Sequence, residues 1–222
     1  TDEIMRSERE ARSANEAKTR FLFNMSHDIR TPMNAIIGFA DLIKKNMNDP
    51  DKVRDYIEKI QSSSTLLLSI INHVLEMARI ESGEVTLSEQ VGNIQELVTS
   101  IETVFEPTIQ KKKLICSYEA NVEHEYVICD ETKVREIFLN IIGNAVKYTE
   151  QGGNIRVTVT EFPDHEQKIA TYRIVVKDNG SGMSEEYLPH IFETFSREHS
   201  STEVRVEGTG LGLPIVKSFL DL

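Results

Sequence analysis

The sequence predicts a multi-domain chain in which an all-α helical hairpin is followed by an α+β domain. Two observations predict this architecture. Up to about residue 80, apolar residues recur at steps of three and four, which is the spacing of an amphipathic helix. After residues 81–84 the period changes, and short strand-like runs alternate with further helices. The length of 222 residues is sufficient for a sizeable core.

Two long helices are predicted first. One extends from about Asp2 to Asn46, where Pro32 is the only proline and Gly38 the only glycine. It carries an apolar seam of heptad-like spacing: Phe21, Met25, Ile29, Pro32, Ile36, Phe39 and Ile43. The other begins at Pro50, continues to about Ile80 and carries a second seam: Val53, Ile57, Ile60, Ser64, Leu67, Ile71 and Val74. Because a short turn joins them, the two helices form an antiparallel hairpin.

One hairpin leaves much of its seam exposed, so we expect a homodimer in which two copies form a four-helix bundle. The alternative is a hairpin that packs on the rest of its own chain. Upstream of Phe21 the seam becomes small or polar. We interpret residues 1–20 as a coiled-coil connector from a missing upstream sensor, with a frayed end as the alternative. The predicted hairpin domain is therefore 21–80, and the second domain is 84–222.

The elements of the second domain follow from strand, turn and cap signals. We expect a short strand, a helix, two strands, a helix and a hairpin: Val85–Leu87, Ile94–Lys111, Leu114–Glu119, Tyr126–Cys129, Glu131–Tyr148, and Asn154–Phe162 with Ala170–Lys177. The turn of that hairpin is predicted at residues 163–166. The polar stretch 184–207 contains an apolar anchor, Ile191–Phe195, and is interpreted as a mobile lid.

Composition excludes several classes of function. The net charge of −11 argues against a nucleic-acid partner, which would require a basic surface. With 39% hydrophobic and 27% charged residues, and without a long apolar run, this piece of chain is not expected to contact a membrane. Cys116 and Cys129 lack metal-type spacing and are expected to be reduced, as in the cytoplasm. The parent protein is nevertheless a candidate for membrane anchorage.

His27 is the most informative single residue. It lies beside Asp28 and four residues before Thr31, and residues four apart share one face of a helix. Asp28 can accept a proton from the imidazole ring and leave the other ring nitrogen as a nucleophile. A lone histidine in this setting is ordinarily a surface residue. A matching nucleotide site elsewhere in the chain favours a phosphorylatable histidine.

The helix at Glu131–Tyr148 supplies one part of that nucleotide site. Asn140 and Asn144 lie four apart, and Lys147 and Tyr148 extend the same stripe by one turn. Amide oxygens followed by an ammonium group and a phenol can bind Mg²⁺, hold phosphate oxygens and cover a base. Alone, such a stripe is usually a solvated face.

Glycine-rich segments supply the other part. Asp178 follows a strand, and its carboxylate can accept a hydrogen bond from adenine N6, while Gly180 and Gly182 let the backbone pass close under the base. Alone, this is an ordinary acidic turn. Three further glycines open onto a helix and can cradle phosphates: Gly208, Gly210 and Gly212. A dinucleotide-binding fingerprint is a weaker interpretation, because no strand–turn–helix unit contains them.

The chain resembles the sensor histidine kinases of bacterial two-component systems. Five segments resemble the family's H-box, N-box, first glycine box, F-box and second glycine box, in the family's order: Ser26–Pro32, Asn140–Thr149, Asp178–Gly182, Ile191–Phe195 and Gly208–Leu213. The resemblance covers nearly the whole chain. It implies a dimerisation and histidine-phosphotransfer hairpin followed by a Bergerat-type ATP-binding sandwich, which here ends earlier than the family pattern.

The resemblance assigns roles to the matching residues. His27 is the phosphoacceptor, Asp28 orients its ring, Arg30 assists near the phosphoryl group, and Thr31 helps to place a water for dephosphorylating the partner. Asn144 binds Mg²⁺, Asn140 and Lys147 act on phosphates or metal-bound water, Tyr148 lies near the nucleotide and Asp178 reads adenine. The remaining positions shape the pocket and lid: Gly180, Gly182, Gly208, Gly210 and Gly212, with Arg197 on the γ-phosphate and Arg205 as its alternative.

The implied activity is ATP- and Mg²⁺-dependent autophosphorylation of His27, followed by transfer to an aspartate of a response-regulator receiver domain. Phosphatase activity towards that regulator and a hinge near residues 80–83 are further expectations. Two alternatives remain: a degenerate dimeric scaffold that binds ATP or a partner without phosphorylation, and an ATPase of the chaperone or topoisomerase kind. A hydrolase built on Ser26, His27 and Asp28 is excluded, because consecutive helical residues do not face each other.

Overall fold

The computed structural model of the chain describes residues 2–194, 196 and 210–222. The chain divides into two compact units, of which the first ends at Gly83 and the second begins at Glu84. The first unit is α-helical, and the second combines helices with two small sheets. The predicted fold class, a helical hairpin followed by a domain of mixed helices and strands (α+β), is confirmed. No helix within the described ranges is both long and apolar enough to cross a membrane.

The first unit is an antiparallel pair of helices, α1 (Asp2–Lys45) and α2 (Pro50–Glu81). Asp49 caps α2, because its side chain accepts a hydrogen bond from the backbone N–H of Lys52 at 3.2 Å. Pro50 occupies the first turn of α2, where its missing N–H costs nothing. The helix α1 continues through Pro32. The two helices are therefore bounded by the signals that the sequence carries at 46–50.

The apolar side chains of the hairpin are only partly covered within one chain. Met25 and Ile70 are buried. Several other large apolar side chains are exposed along the two helices: Phe23, Met33, Ile37, Ile57, Leu68, Ile71 and Leu75. Exposed apolar surface on this scale is typical of a protein–protein interface.

The second unit alternates strands with helices. Its elements, in chain order, are β1 (Gln90–Asn93), α3 (Ile94–Lys112), β2 (Ile115–Asn121), β3 (Tyr126–Cys129), α4 (Glu131–Tyr148), β4 (Asn154–Asp164), β5 (Ile169–Asp178), a 3₁₀ helix at Leu188–His190, and α5 (Gly212–Leu220). Strands β1 and β3 form an antiparallel ribbon. The larger sheet has the order β2–β4–β5, with β2 parallel to β4 and β5 antiparallel to it.

The core of this unit lies between the larger sheet and the helices α3 and α4. Strand β4 alternates strictly: Ile155, Val157 and Val159 are buried, and the residues between them face outward. Helix α3 contributes four buried side chains and α4 four more: Ile94, Leu97, Val98, Ile101, Phe138, Ile142, Ala145 and Val146. The sheet and this core hold α4 in place, with its polar stripe on the opposite side.

Two predicted features of the second unit are wrong. Val85–Leu87 is not a strand, and the partner of β3 is instead Gln90–Asn93. The reason is that the backbone N–H of Ser88 donates to the Asp130 carboxylate at 2.9 Å, so a side chain holds this segment. The β4–β5 turn occupies residues 165–168, because Pro163 still pairs with Ala170 within the ladder.

An ion pair closes the loop between β2 and β3. The buried Glu161 carboxylate accepts the backbone N–H of Glu123 at 2.6 Å and of His124 at 2.8 Å, and lies 2.6 Å from Nδ1 of His124. The bond to Glu161 raises the pKa of His124, against the effect of burial. Burial favours a higher pKa for Glu161, but its bonds with His124 and Glu123 outweigh burial and lower that pKa.

We expect this pair to make the stability of the second unit pH-dependent. The raised pKa of His124 gives stabilisation that is complete below the unfolded value of 6.5 and lost as pH rises through the folded value. The lowered pKa of Glu161 gives stabilisation that is present above the unfolded value of 4.5 and lost as pH falls through the folded value. The pair of His124 and Glu161 therefore stabilises the second unit most between pH 4.5 and pH 6.5.

The measurement is urea unfolding followed through the amide resonances of Val157 and Val159, for the unsubstituted chain and for His124→Gln. The substitution is expected to lower the free energy of unfolding more at about pH 5.5 than at about pH 9. His190→Gln is the matched control, since His190 forms an exposed pair with Glu193 at 2.7 Å, away from the pair of His124 with Glu161. An equal loss at both pH values would contradict the assignment of this pair.

Candidate functional site

His27 lies exposed on the surface of α1. Its side chain is 74% exposed, and its Nδ1 lies 3.4 Å from Oδ1 of the half-buried Asp28. The side chain of Asp28 therefore approaches one ring nitrogen, whereas Nε2 is the ring atom opposite. Exposure allows a large reactant to reach the ring. These two features are those that a nucleophilic imidazole requires.

The neighbours of His27 in the same motif bond within the helix. The Thr31 hydroxyl donates to the backbone carbonyl of His27 at 3.1 Å, one turn earlier. The Arg30 guanidinium lies 3.5 Å from the Ser26 hydroxyl. Thr31 therefore shares a helical face with His27, as predicted from the spacing, while its hydrogen is directed at the backbone and its oxygen remains an acceptor.

Helix α4 carries the predicted polar stripe. The helix begins at Asp130, whose carboxylate accepts the backbone N–H of Lys133 at 3.1 Å. Asn140 and Asn144 are half-buried, and the Asn140 amide donates to the Glu136 carbonyl at 3.0 Å. At the end of the helix, the Lys147 ammonium lies 4.8 Å from the centre of the partly exposed Tyr148 ring.

The first glycine box packs directly on the last turn of α4. The backbone N–H of Ser181 donates to the Tyr148 carbonyl oxygen at 3.3 Å. A Cβ added at Gly180 would lie 2.5 Å from that oxygen, so only glycine fits there. The Asp178 carboxylate accepts the backbone N–H of Gly180 at 2.9 Å and is exposed. Asp178 is therefore held beside the end of α4.

The described part of the second glycine box, Gly210–Leu213, lies against the middle of α4. Gly212 is the first residue of α5, and a Cβ added to it would lie 2.5 Å from Oδ1 of Asn140. Gly210 adopts a left-handed conformation with φ of 66°, as Gly182 does with φ of 69°. The helix α5 is held by buried Leu211, Ile215 and Phe219. The N-terminus of α5 is thus brought next to the asparagine stripe.

The fold therefore brings together residues that are far apart in the sequence. One side of the second unit is formed by α4 and two segments that contact it: Asp178–Gly182 at its end and Gly210–Gly212 beside Asn140. Arg197, Arg205 and Gly208 lie outside the described residues, as does Phe195 of the predicted lid anchor. Within the described part of the lid, the Tyr187 hydroxyl donates to the Ser196 carbonyl at 2.9 Å.

The donor set fits a nucleotide with a magnesium ion. No three His, Cys, Asp or Glu side chains converge within the described ranges. The half-buried Asn144 amide on α4 is an oxygen donor of the kind that Mg²⁺ accepts beside phosphate oxygens and water. At Gly180 and Gly212 the backbone lies too close to Tyr148 and Asn140 for any side chain, so both glycine segments are held directly against α4.

One residue beside this site carries no signal in the sequence. The Lys112 ammonium, at the end of α3, donates to the carbonyls of Val146, Lys147 and Thr149. These partners lie 34 to 37 residues away in the sequence, and no local pattern distinguishes Lys112 from its neighbours Lys111 and Lys113. Only the packing of α3 against α4 could reveal it.

We expect Gly180→Ala to weaken nucleotide binding. The new methyl group would meet the backbone carbonyl of Tyr148, which cannot move without shifting α4 or the Asp178 segment. Overpacking of this kind costs ~1–3 kcal/mol of stability. Titration with a fluorescent ATP analogue measures the loss of affinity. Gly143→Ala is the control, because its Cβ would meet Phe105 at an ordinary 3.7 Å; equal behaviour of the two variants would contradict the close packing.

Two family models match the chain. The model "His Kinase A (phospho-acceptor) domain" matches residues 17–83. The model "Histidine kinase-, DNA gyrase B-, and HSP90-like ATPase" matches residues 129–222. The first match contains His27, and the second contains α4 and both glycine boxes.

Curated relatives match nearly the whole chain. The sensory/regulatory protein RpfC of Xanthomonas campestris is 32% identical over 98% of this chain and 30% of its own length. The sensor protein GacS of Pseudomonas syringae is 34% identical over 99% of this chain and 24% of its own length. The autoinducer 2 sensor kinase/phosphatase LuxQ of Vibrio cholerae is 32% identical over 96% of this chain and 25% of its own length. The chain thus spans less than a third of these relatives.

Solved structures share the fold. Histidine kinase AdeS of Acinetobacter baumannii has a TM-score of 0.65 at 19% identity and covers 88% of this chain and 86% of its own. Full-length ShkA, in complex with AMPPNP, has a TM-score of 0.61 at 27% identity and covers 92% of this chain and 40% of its own. Histidine kinase ThkA, in complex with the response regulator TrrA, has a TM-score of 0.64 at 26% identity. The match covers 86% of this chain and 54% of the ThkA chain.

Proposed function

This chain belongs to the sensor histidine kinases of two-component systems, and from that premise we propose that it transfers the γ-phosphoryl group of ATP to its own His27. The observation that carries the proposal is the pairing of an exposed, acid-flanked imidazole with a second unit built for a nucleotide. His27 Nδ1 lies beside Asp28, while Gly180 and Gly212 pack on the helix that carries Asn144.

Different residues of the second unit bind different parts of Mg-ATP. Asn144 would hold Mg²⁺, while Asn140 would donate amide hydrogen bonds, and Lys147 its charged N–H groups, to phosphate oxygens or metal-bound water. Asp178 accepts the adenine N6 amine, while Tyr148 covers the base or ribose. The ion supplies charge neutralisation and alignment of the phosphates when it is bound. The glycines at 180, 182, 208, 210 and 212 let the backbone approach, and Arg197 or Arg205 completes the contacts to the γ-phosphate.

The chemical step follows from the ring geometry. With the Nδ1 proton directed at Asp28, the lone pair on Nε2 of His27 attacks the γ-phosphorus in line with the bond to ADP. The N–P bond forms as the P–O bond breaks, and ADP leaves with the bonding electrons. The ring carries an extra positive charge until its Nδ1 proton passes to Asp28 or water, and a phosphoramidate with a neutral ring and an anionic phosphoryl group remains. Arg30 offers its charge near the incoming phosphoryl group.

The partners follow from the same premise. The phosphoryl group passes from His27 to an aspartate of a response-regulator receiver domain, and Thr31 helps to place the water that dephosphorylates the regulator. Two hairpins associate through their exposed apolar side chains, which include Ile37, Ile57 and Leu68. Residues 1–20 receive the signal from an upstream sensor. Because ATP and the regulator are cytoplasmic, the chain works in the cytoplasm.

Incubation with Mg²⁺ and γ-labelled ATP, with α-labelled ATP as the matched control, tests the proposal. The protein is expected to gain label from the γ position alone, and the label is expected to be stable in alkali and lost in acid, as a phosphoramidate is. Measurable ATP binding without label would contradict autophosphorylation and favour a scaffold that only binds ATP.

A further inference from the structure

We propose that Lys112 is a positioning residue for the nucleotide site, because its ammonium group holds the carbonyl end of α4 in the place that the site requires. The inference rests on the proposed function, since it concerns how the same ATP site is held. Lys112 is the last residue of α3 and is half-buried. It lies on a different element from every residue that the proposal places on the nucleotide.

The hydrogen bonds of Lys112 use all the donors of an ammonium group. Nζ donates to the carbonyl oxygens of Val146 at 2.8 Å, Lys147 at 3.1 Å and Thr149 at 2.6 Å. An ammonium group has three N–H donors and no acceptor. The carbonyls at the end of a helix lack partners within the helix and carry the negative end of its dipole. A half-buried cation is therefore well matched to this position.

The remaining carbonyls of this turn are also satisfied, so the end of α4 is fully held. Ala145 accepts the backbone N–H of Thr149 at 3.0 Å, and Tyr148 accepts the backbone N–H of Ser181 at 3.3 Å. Lys112 thus holds the turn from one element, and the first glycine box contacts it from another. Thr149 is only 1% exposed, so water does not readily replace the bonds that Lys112 makes.

A displacement of this turn would directly move residues that we propose to bind the nucleotide. Tyr148 and Lys147 belong to the turn, and Gly180 packs on the Tyr148 carbonyl so closely that an added Cβ would lie 2.5 Å away. Gly180 in turn donates to Asp178, whose carboxylate is the proposed adenine contact. The position of Asp178 relative to α4 therefore depends on the turn that Lys112 holds.

The backbone of Lys112 strengthens this connection. Its carbonyl accepts the backbone N–H of Gly152 at 3.0 Å, and the backbone N–H of Ile115 donates to the Gly153 carbonyl at 2.9 Å. The end of α3 and the segment that follows α4 are thus bonded to each other in both directions. Backbone bonds of this kind persist when the side chain changes, so a substitution of Lys112 can alter the turn without unfolding the unit.

The test compares Lys112→Met, which keeps the length and removes the charge, with Lys112→Arg, which keeps N–H donors. Lys111→Met is the matched control, because Lys111 lies exposed in the same turn of α3. Dissociation constants for ATP and GTP are measured at a temperature at which every variant is fully folded. Lys112→Met is expected to bind ATP about tenfold more weakly, equivalent to ~1.4 kcal/mol, and to lose part of its preference for ATP over GTP.

The expected pattern separates positioning from a merely structural role. A structural role would lower the unfolding temperature of Lys112→Met and leave the ATP affinity and the ATP-to-GTP ratio of the folded protein unchanged, and that result would overturn the inference. Lys112→Arg is expected to restore most of the affinity, because its guanidinium can reach the same carbonyls. If Lys112→Met fails to fold, Lys112→Gln, with its two amide donors, is expected to show the same losses in smaller measure, and an unchanged ATP affinity would again overturn the inference.

The failure of the inference is distinguishable from failure of the proposed function. If the unsubstituted chain binds no ATP, the proposed function fails and the inference fails with it. If the unsubstituted chain binds ATP and prefers it to GTP, while Lys112→Met and Lys111→Met behave as it does, the proposed function stands and the inference alone is wrong.

Discussion

His27→Gln is expected to abolish phosphorylation of the chain by Mg-ATP completely while leaving ATP affinity unchanged. The substitution removes the nucleophilic nitrogen and retains a side chain of similar size on an exposed helical face, so the hairpin should fold as before. Neighbouring Thr31 is not expected to replace it, because the Thr31 hydroxyl donates to the backbone carbonyl of residue 27.

The measurement is label incorporated from γ-labelled ATP, with ATP affinity determined on the same samples. His165→Gln is the matched control, since His165 is an exposed histidine in the second unit and should be phosphorylated neither before nor after the change. Residual alkali-stable label on His27→Gln would show that another histidine accepts the phosphoryl group, and the assignment of His27 would be wrong.

Asn144→Ala is expected to have the second largest effect, a loss of phosphorylation rate of at least ~100-fold, equivalent to ~2.7 kcal/mol of transition-state stabilisation. The physical reason is that the half-buried Asn144 amide supplies the one protein oxygen we assign to Mg²⁺. An alanine leaves the ion with phosphate oxygens and water alone. The helix itself should tolerate the change, because alanine has the highest helix propensity.

Calorimetric titration with ATP, with and without Mg²⁺, isolates this role. The unsubstituted chain is expected to bind ATP more tightly when Mg²⁺ is present, and Asn144→Ala is expected to lose that gain while retaining its metal-independent affinity. Asn121→Ala is the matched control, since Asn121 is an exposed amide at the end of β2. An undiminished effect of Mg²⁺ in Asn144→Ala would contradict the role of this asparagine.

Elements with strong local signals could be predicted from the sequence. The bounds of α4 and β3 agree with the prediction residue for residue. Asp130 caps α4 with its side chain, and both elements have apolar residues at the regular spacing of their type. The two long helices agree within a residue or two at their ends, since the break at 46–50 contains both a cap and a proline. Local chemistry decides the structure at each of these places.

Features decided by distant contacts could not be predicted. The segment at Val85–Leu87 has strand-like composition, but Ser88 is held by Asp130, 42 residues away, and the pairing begins only at Gln90. The β4–β5 turn lies two residues later than predicted, because pairing with β5 extends β4 beyond Pro163. A proline in a strand argues locally for its end, so the sequence signal was misleading here.

The candidate site shows the same division. The composition of Asn140–Tyr148 and of the glycine segments predicted the residues, but not that Gly180 lies on the Tyr148 carbonyl or that Gly212 lies on Asn140. Those contacts depend on how β5 and α5 approach α4. The role of Lys112 was likewise invisible, because its three acceptors are backbone carbonyls, which every residue possesses.

The central claim is that Nε2 of His27 receives the γ-phosphoryl group of ATP. The most direct measurement is a nitrogen-15 spectrum of the chain labelled at histidine, recorded before and after reaction with Mg-ATP, with His27→Gln used to assign the ring signals. We predict a new nitrogen–phosphorus coupling on Nε2 of His27, because Nδ1 faces Asp28. Coupling on another histidine, or a phosphate gained without any such coupling, would contradict the account.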